Sequence, residues 1–150
     1  MPKEVILIAA VTVDGYIARH SKEIITWSKD LHIFKKQTMG HSLVVGSNTH
    51  KTFKKELSGR HVCVVSRKDK PAEVLSKINQ KKCFIIGGGK TFSNYSTYIT
   101  HLFITPHPYV FGSGVPLFSN KVKEIKLDLL KINIVDQKSG IYQYQYKVVK

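Results

Sequence analysis

Phe84-Ile85-Ile86-Gly87-Gly88-Gly89-Lys90-Thr91-Phe92 joins a short apolar strand to three consecutive glycines and then to a segment able to form a helix. Glycines let the main chain come close to an anion. The helix that follows offers unpaired N–H groups and the positive end of its dipole, and Lys90 adds a full charge. This is phosphate-binding geometry, and a nucleotide cofactor is its natural ligand. The run matches neither the spaced-glycine dinucleotide fingerprint nor the Walker loop. A second reading therefore stands beside the first, a tight strand-to-helix turn with no ligand.

Outward from this turn, apolar runs recur at intervals of roughly twenty residues, with helix-compatible segments between them. Val5 to Val11 is uniformly apolar and rich in β-branched residues, the pattern of a strand buried on both faces. Leu43 to Gly46, Val62 to Ser66 and Leu102 to Thr105 read the same way. Helices are predicted over Ser28 to Met39, Asn48 to Lys55, Ala72 to Asn79 and Gly89 to Tyr95. Strand alternating with helix implies an α/β fold, three layers with a mostly parallel central sheet and helices on both faces. Glu124 to Val135 and Ile141 to Val149 read as two strands around Ser139-Gly140, an antiparallel C-terminal hairpin. The whole of 1–150 is expected to form a single domain.

In open α/β sheets ligands bind beyond the carboxyl ends of the parallel strands. Those ends carry Ala9-Ala10, Gly46-Ser47-Asn48-Thr49, Ser66-Arg67-Lys68, Gly87 to Thr91 and Thr105. Small, hydroxyl-bearing and basic side chains thus gather at one rim, as a nucleotide pocket requires. The helix expected from Ser28 adds an acid. At 100° per residue Asp30 falls within the arc that holds Leu31, Phe34 and Thr38, while Lys29, Lys35 and Lys36 point away from it. Two readings are open: Ser28 caps the helix and Asp30 merely complements its dipole, or Asp30 is a buried functional carboxylate. In the second case its pKa is perturbed and it needs a hydrogen-bonding partner, which ligand nitrogens would supply.

Composition narrows the class. Lys and Arg total 24 against 10 Asp and Glu, a formal charge of +14 that draws anions through the summed field. The lysines are scattered rather than gathered in a tail, which argues against a nucleic-acid partner. Cys63 and Cys83 sit inside apolar strand-like runs and read as free thiols of a reduced, cytoplasmic protein. The apolar run Val5 to Val11 is too short for a signal segment or a membrane span. The seven histidines lack metal-ligand spacing, and no metal is expected. Oligomeric state is not readable.

Taken together, these residues resemble dihydrofolate reductase over nearly the full length. Leu7 to Ile17 is similar to that family's first strand and the loop over the nicotinamide, and Trp27 with Asp30 to Thr38 is similar to its active-site helix. Val45 to Thr49, Leu57-Ser58-Gly59-Arg60, Val65-Ser66-Arg67, Ile86 to Phe92 and Ile104-Thr105 follow in the family's order. The resemblance implies NADPH-dependent reduction of dihydrofolate at pterin C6. Asp30 would bind the pterin 2-amino group and N3, with Thr105 hydrogen-bonded to it. Ile8, Ala9, Leu31, Phe34, Lys35 and Leu57 would complete the substrate site, and Arg60 would pair with the glutamate carboxylate of folate. Ala10 and Ile17 would contact the nicotinamide, with Phe92 where the family often has an aromatic against it. Thr49 and Gly88, Gly89, Lys90 and Thr91 would hold the pyrophosphate. Ser66 with Arg67 would take the 2′-phosphate, Arg67 or Lys68 doing more because Ser47 stands in an arginine's place; Gly46, Asn48, Ile86 and Gly87 would complete the cofactor site.

The chain departs from the family pattern in places. Trp27 stands two residues closer to Asp30 than is common in the family, without the usual proline between, and Ser47 replaces a frequent arginine. Pro108 to Phe118, with Gly112-Ser113-Gly114, is more similar to the reductase domain of riboflavin biosynthesis, which makes a ribosylaminopyrimidine phosphate the alternative substrate. A non-catalytic basic RNA- or nucleotide-binding domain is a third reading, motivated by the charge and by the alternation of Tyr142, Tyr144 and Tyr146. That alternation equally marks one face of an ordinary antiparallel strand.

Overall fold

The structure, a computed structural model, describes the backbone of residues 1–150 and every side chain except those of Lys54 and Lys55. Strands β1 (Glu4–Thr12), β3 (Ser42–Gly46), β4 (His61–Val65), β5 (Lys82–Ile85) and β6 (His101–His107) form the parallel part of the main sheet. Helices α1 (Leu31–Thr38), α2 (Ser47–Phe53), α3 (Pro71–Ser76) and α4 (Gly89–Tyr95) lie between them in sequence. The hairpin β8 (Leu127–Asp136) and β9 (Ile141–Val148) completes a seven-stranded sheet of order β4-β3-β5-β1-β6-β9-β8. Both β6–β9 and β8–β9 are antiparallel, as expected of a terminal hairpin. Two short strands, β2 (Tyr16–Ala18) and β7 (Val115–Pro116), pair separately.

The alternation of apolar runs has its physical counterpart in two cores. Val5, Leu7, Val44, Ile85 and Leu102 pack with Leu75 of α3 and Phe92 and Tyr95 of α4 on one face. Ile6, Ile8, Leu43, Val45 and Phe84 pack with Phe34 of α1 and Leu57 on the other. Strands buried on both faces have no polar face to show, which is why these runs are uninterrupted. Leu7, Leu43, Val44, Val45 and Ile85 are completely buried. Each such side chain contributes roughly 1.5–3 kcal/mol by leaving water.

Several boundaries differ from expectation; α3, for one, ends at Ser76, three residues before Asn79. α1 starts at Leu31, three residues later than Ser28, with Asp30 in the N-cap position and no side-chain capping bond. The first β8 residue is Leu127, so the strand begins three residues after Glu124. β2 and β7 were not anticipated, because Tyr-Ile-Ala and Val-Pro are too short to show a period.

The hairpin has an apolar face that is open on its β8 side, while Tyr146 and Val148 of β9 pack against the first core. Cross-strand partners Leu127↔Val148, Leu129↔Tyr146, Ile132↔Tyr144 and Ile134↔Tyr142 share that side, and Leu129 and Ile134 are 53% and 61% exposed. Tyr144 and Tyr146 stack with ring centroids 6.3 Å apart. The tyrosine alternation is thus the face of an antiparallel strand. Register shifts at Leu129/Lys131 and Ile134/Asp136 interrupt the ladder of this edge strand, as bulges do where an edge is kept from further pairing.

Candidate active site

The carboxyl ends of the parallel strands open on one cavity of about 1070 Å³. Ile8, Ala9 and Ala10 of β1, Gly46 at the end of β3, Val65 of β4 and Ile86 after β5 line it. β1 lies between β5, which leads into the glycine turn, and β6, which carries Thr105. One strand therefore separates two halves of the cavity.

Gly87, Gly88, Gly89, Lys90, Thr91 and Phe92 all line the first half, with Ser47, Asn48 and Thr49 from the start of α2. Gly87 has φ +138°, a conformation only glycine holds without strain. A Cβ on Gly88 would stand 3.1 Å from Thr49 Oγ1, and one on Gly46 only 2.7 Å from Thr91 Oγ1. Gly46 N–H donates to Gly87 O at 2.7 Å, fastening β3 to the turn. Main chain and hydroxyls thus converge where side chains have been dispensed with, and the cradle fits a dinucleotide phosphate. Ser66 and Arg67 also line this half. The Asp69 carboxylate shapes their turn by accepting from Ser66 N at 2.8 Å.

Asp30 dominates the second half. It lines the cavity and is only 8% exposed. Burial pushes its carboxyl above the ordinary range; a backbone N–H and the Thr105 and Ser28 hydroxyls pull it back without cancelling that effect. Trp27, Leu31, Phe34 and Phe53 line the same cavity with apolar surface. Two polar atoms here are buried without a partner, Trp27 Nε1 and Thr105 Oγ1. Thr105 is fully buried in β6, and its hydroxyl stands close enough to the acid to lower it, while Oγ1 lacks a full hydrogen bond of its own. Orphaned donors around an acid are what a nitrogenous ring would satisfy.

Arg60 is placed outside the cavity lining, as are Lys35, Leu57, Lys68 and Thr105. Leu57 belongs to the core beneath α1. Lys35 pairs with Glu56, Nζ to Oε2 at 2.7 Å, and Glu56 lines the cavity. Arg60 donates from Nε to Thr38 Oγ1 at 3.0 Å and from its two terminal nitrogens to the Ser58 and Lys35 carbonyls. A guanidinium has five donors, so one N–H remains on each terminal nitrogen.

The loop from Val13 to Lys29 forms a wall with no periodic signal in the sequence. Glu23, Thr26 and Trp27 of this loop reach the cavity, and Ile17 lines it from β2. The loop is stitched to the segment after β6. Asp14 accepts from Thr12 Oγ1 at 2.6 Å and from Gly112 N at 2.8 Å, and these bonds hold its carboxyl below the ordinary range. Arg19 lies 4.4 Å over the Phe111 ring. Pro116 and Ser119 cover the glycine turn from above, also unannounced by any motif.

Neither thiol suits nucleophilic work: burial pushes Cys83 up to about 12 and raises Cys63 as well. Among the described residues no group of three or more His, Cys, Asp or Glu is placed to hold a metal. Nor, among the described residues, is any helix long and apolar enough to cross a membrane.

The mostly parallel sheet brings a glycine turn and a buried acid to one cavity, and a family match makes the class a nicotinamide-dependent reductase. The family model for dihydrofolate reductase matches residues 4–108, and the chain belongs to that family. No curated protein matches the sequence. Solved structures share the fold, two of them as follows. Dihydrofolate reductase from Enterococcus faecalis, complexed with NADP(H) and RAB-propyl, superposes with a TM-score of 0.71 at 18% identity, covering 100% of this chain and 99% of that one. A putative riboflavin biosynthesis protein from Shewanella sp. PV-4 superposes with a TM-score of 0.68 at 20% identity, covering 98% and 99%.

Proposed function

We propose that the protein reduces 7,8-dihydrofolate to tetrahydrofolate with NADPH as the hydride donor. One observation carries the reading: Asp30, buried and held toward its neutral form, lines the same cavity as the Gly87–Gly89 turn. The cofactor, when bound, supplies the hydride. Asp30 would bind the pterin 2-amino group and N3 and assist delivery of a solvent proton to N5. Leu31 and Phe34 would stack on the rings, with Ile8 and Ala9 beneath them. Ala10, Ile17, Ile86 and Phe92 would exclude water around the nicotinamide. Thr49 and Gly88 to Thr91 would hold the pyrophosphate, while Ser66, Arg67 and Lys68 would favour the 2′-phosphate of NADPH over NADH. The two spare N–H groups of Arg60 would take the folate carboxylate. Residues 1–150 would serve as one domain, acting in the cytoplasm in one-carbon metabolism. A small-molecule substrate suffices as partner, and nucleic acid is not needed to account for the charge.

A second reading has its own support. Gly114 and Pro116, from the stretch similar to riboflavin-biosynthesis reductases, line the cavity, so the substrate could be a ribosylaminopyrimidine phosphate. Oxidation of NADPH measured with dihydrofolate and with that pyrimidine separates the two. Turnover of dihydrofolate is expected, and turnover of the pyrimidine alone would overturn the proposal.

A further inference from the structure

Outside the groups given roles above, His107 is the most buried titratable side chain near the site, at 1% exposure on β6. Its Nε2 accepts from the Lys29 backbone N–H at 2.9 Å. A backbone amide can only donate, so Nε2 carries no proton. The proton then sits on Nδ1, which donates to the Thr105 carbonyl at 2.8 Å. The β6–β9 ladder ends at Ile104↔Tyr144, and His107 takes up the Thr105 carbonyl just past it. Trp27 closes edge-on over the imidazole, centroids 5.3 Å apart at 88°.

Asp30 needs such support. The residues just before α1 are neither strand nor helix, and the Asp30 side chain makes no capping bond. Lys29 is held from two sides instead: its amide by His107, its Nζ by Asp136 at 3.4 Å and Ser139 at 3.3 Å. We propose that His107 is a positioning residue, a neutral imidazole that ties the strand carrying Thr105 to the segment carrying Asp30 and so sets where the acid stands in the cleft. This rests on the reading of Asp30 as the substrate-binding acid.

Three variants test it. His107→Gln keeps an acceptor for Lys29, His107→Asn keeps a donor for the Thr105 carbonyl, and His107→Leu keeps neither. The Asp30 carboxyl is titrated by carbon-13 NMR, which needs no turnover, alongside kcat, KM and the NADPH Kd. In His107→Leu the titration midpoint should move. Its kcat/KM for dihydrofolate should fall by as much as about 10²-fold, the scale of a small misplacement of a reacting group, while the NADPH Kd stays unchanged. His107→Gln should recover most of the loss. A folded His107→Leu protein with the wild-type midpoint would overturn the proposal. If that variant does not fold, equal midpoints in wild type, His107→Gln and His107→Asn would overturn it. A midpoint that moves in a protein inactive on dihydrofolate would sustain the positioning role while refuting the substrate assignment.

Discussion

Asp30 is costly to keep. Its carboxyl is raised above the ordinary value by burial, so the folded state holds a proton that the unfolded chain has already released. Stability therefore falls as pH rises from the ordinary aspartate value through the raised one. Asp30→Asn removes this cost. The variant should melt higher than wild type at neutral pH, and the difference should vanish below about pH 4, near the unfolded aspartate value. The same change should reduce turnover of dihydrofolate by about 10²–10⁴-fold, the usual worth of a positioned proton-transfer group, with NADPH binding nearly intact. A thermal melt at two pH values and a titration with NADPH check both halves. For Arg60, three donors are committed to protein acceptors. Arg60→Lys should raise KM for dihydrofolate more than it lowers kcat, since the contact is remote from the reacting atoms. Steady-state kinetics with dihydrofolate decide it. Asp30 could be singled out from its place among Leu31, Phe34 and Thr38. The state of Thr105 Oγ1 could not, because a hydroxyl's partner depends on rotamers and on strands remote in sequence.

Among the elements, the glycine turn is the most constrained. A Cβ on Gly89 would stand 2.6 Å from the Pro116 carbonyl and 2.1 Å from Ser119 Oγ. The serine can rotate, but the carbonyl belongs to β7 and is pinned by its pairing with Tyr16. Gly89→Ala should destabilise the protein by about 1–3 kcal/mol, the usual penalty for overpacking, and weaken NADPH binding. Thermal melting and fluorescence titration with NADPH measure the two effects. The Gly87 to Lys90 run signals a close approach without saying what approaches. Anion binding was the reading available locally; the seat against Pro116 and Ser119 comes from chain more than twenty residues on. Helix boundaries were less legible. Ser28 is a good capping residue, yet helix formation waits until Leu31, after a segment whose conformation is governed by His107 and Asp136.

For the whole molecule, the alternation of buried strands and helices was readable because complete burial on both faces leaves uninterrupted apolar runs. The open face of β8 was not, since Leu127, Leu129, Ile132 and Ile134 have the composition of core residues while standing largely exposed. Leu129→Lys should accordingly change stability by no more than about 0.5 kcal/mol, the range for surface positions, as measured by denaturant unfolding. The +14 charge acts at this scale too. Association of NADPH should slow as salt rises, because the field that gathers anions is screened within about 10 Å at 0.1 M. Stopped-flow measurement at two ionic strengths checks this.

The segment over the glycine turn has one more consequence. Ser119 N–H donates to Gly89 O at 3.2 Å, and Asn120 N–H donates to Ser93 Oγ at 3.0 Å, both beyond the last residue that the family model matches. A fragment stopping at Pro108 would retain every family-matched position yet lose this roof, together with β9, which pairs with β6, and β8 beyond it. Recognisable ancestry and autonomous folding thus have different borders here, and a truncated copy spliced into another polypeptide would inherit the first without the second.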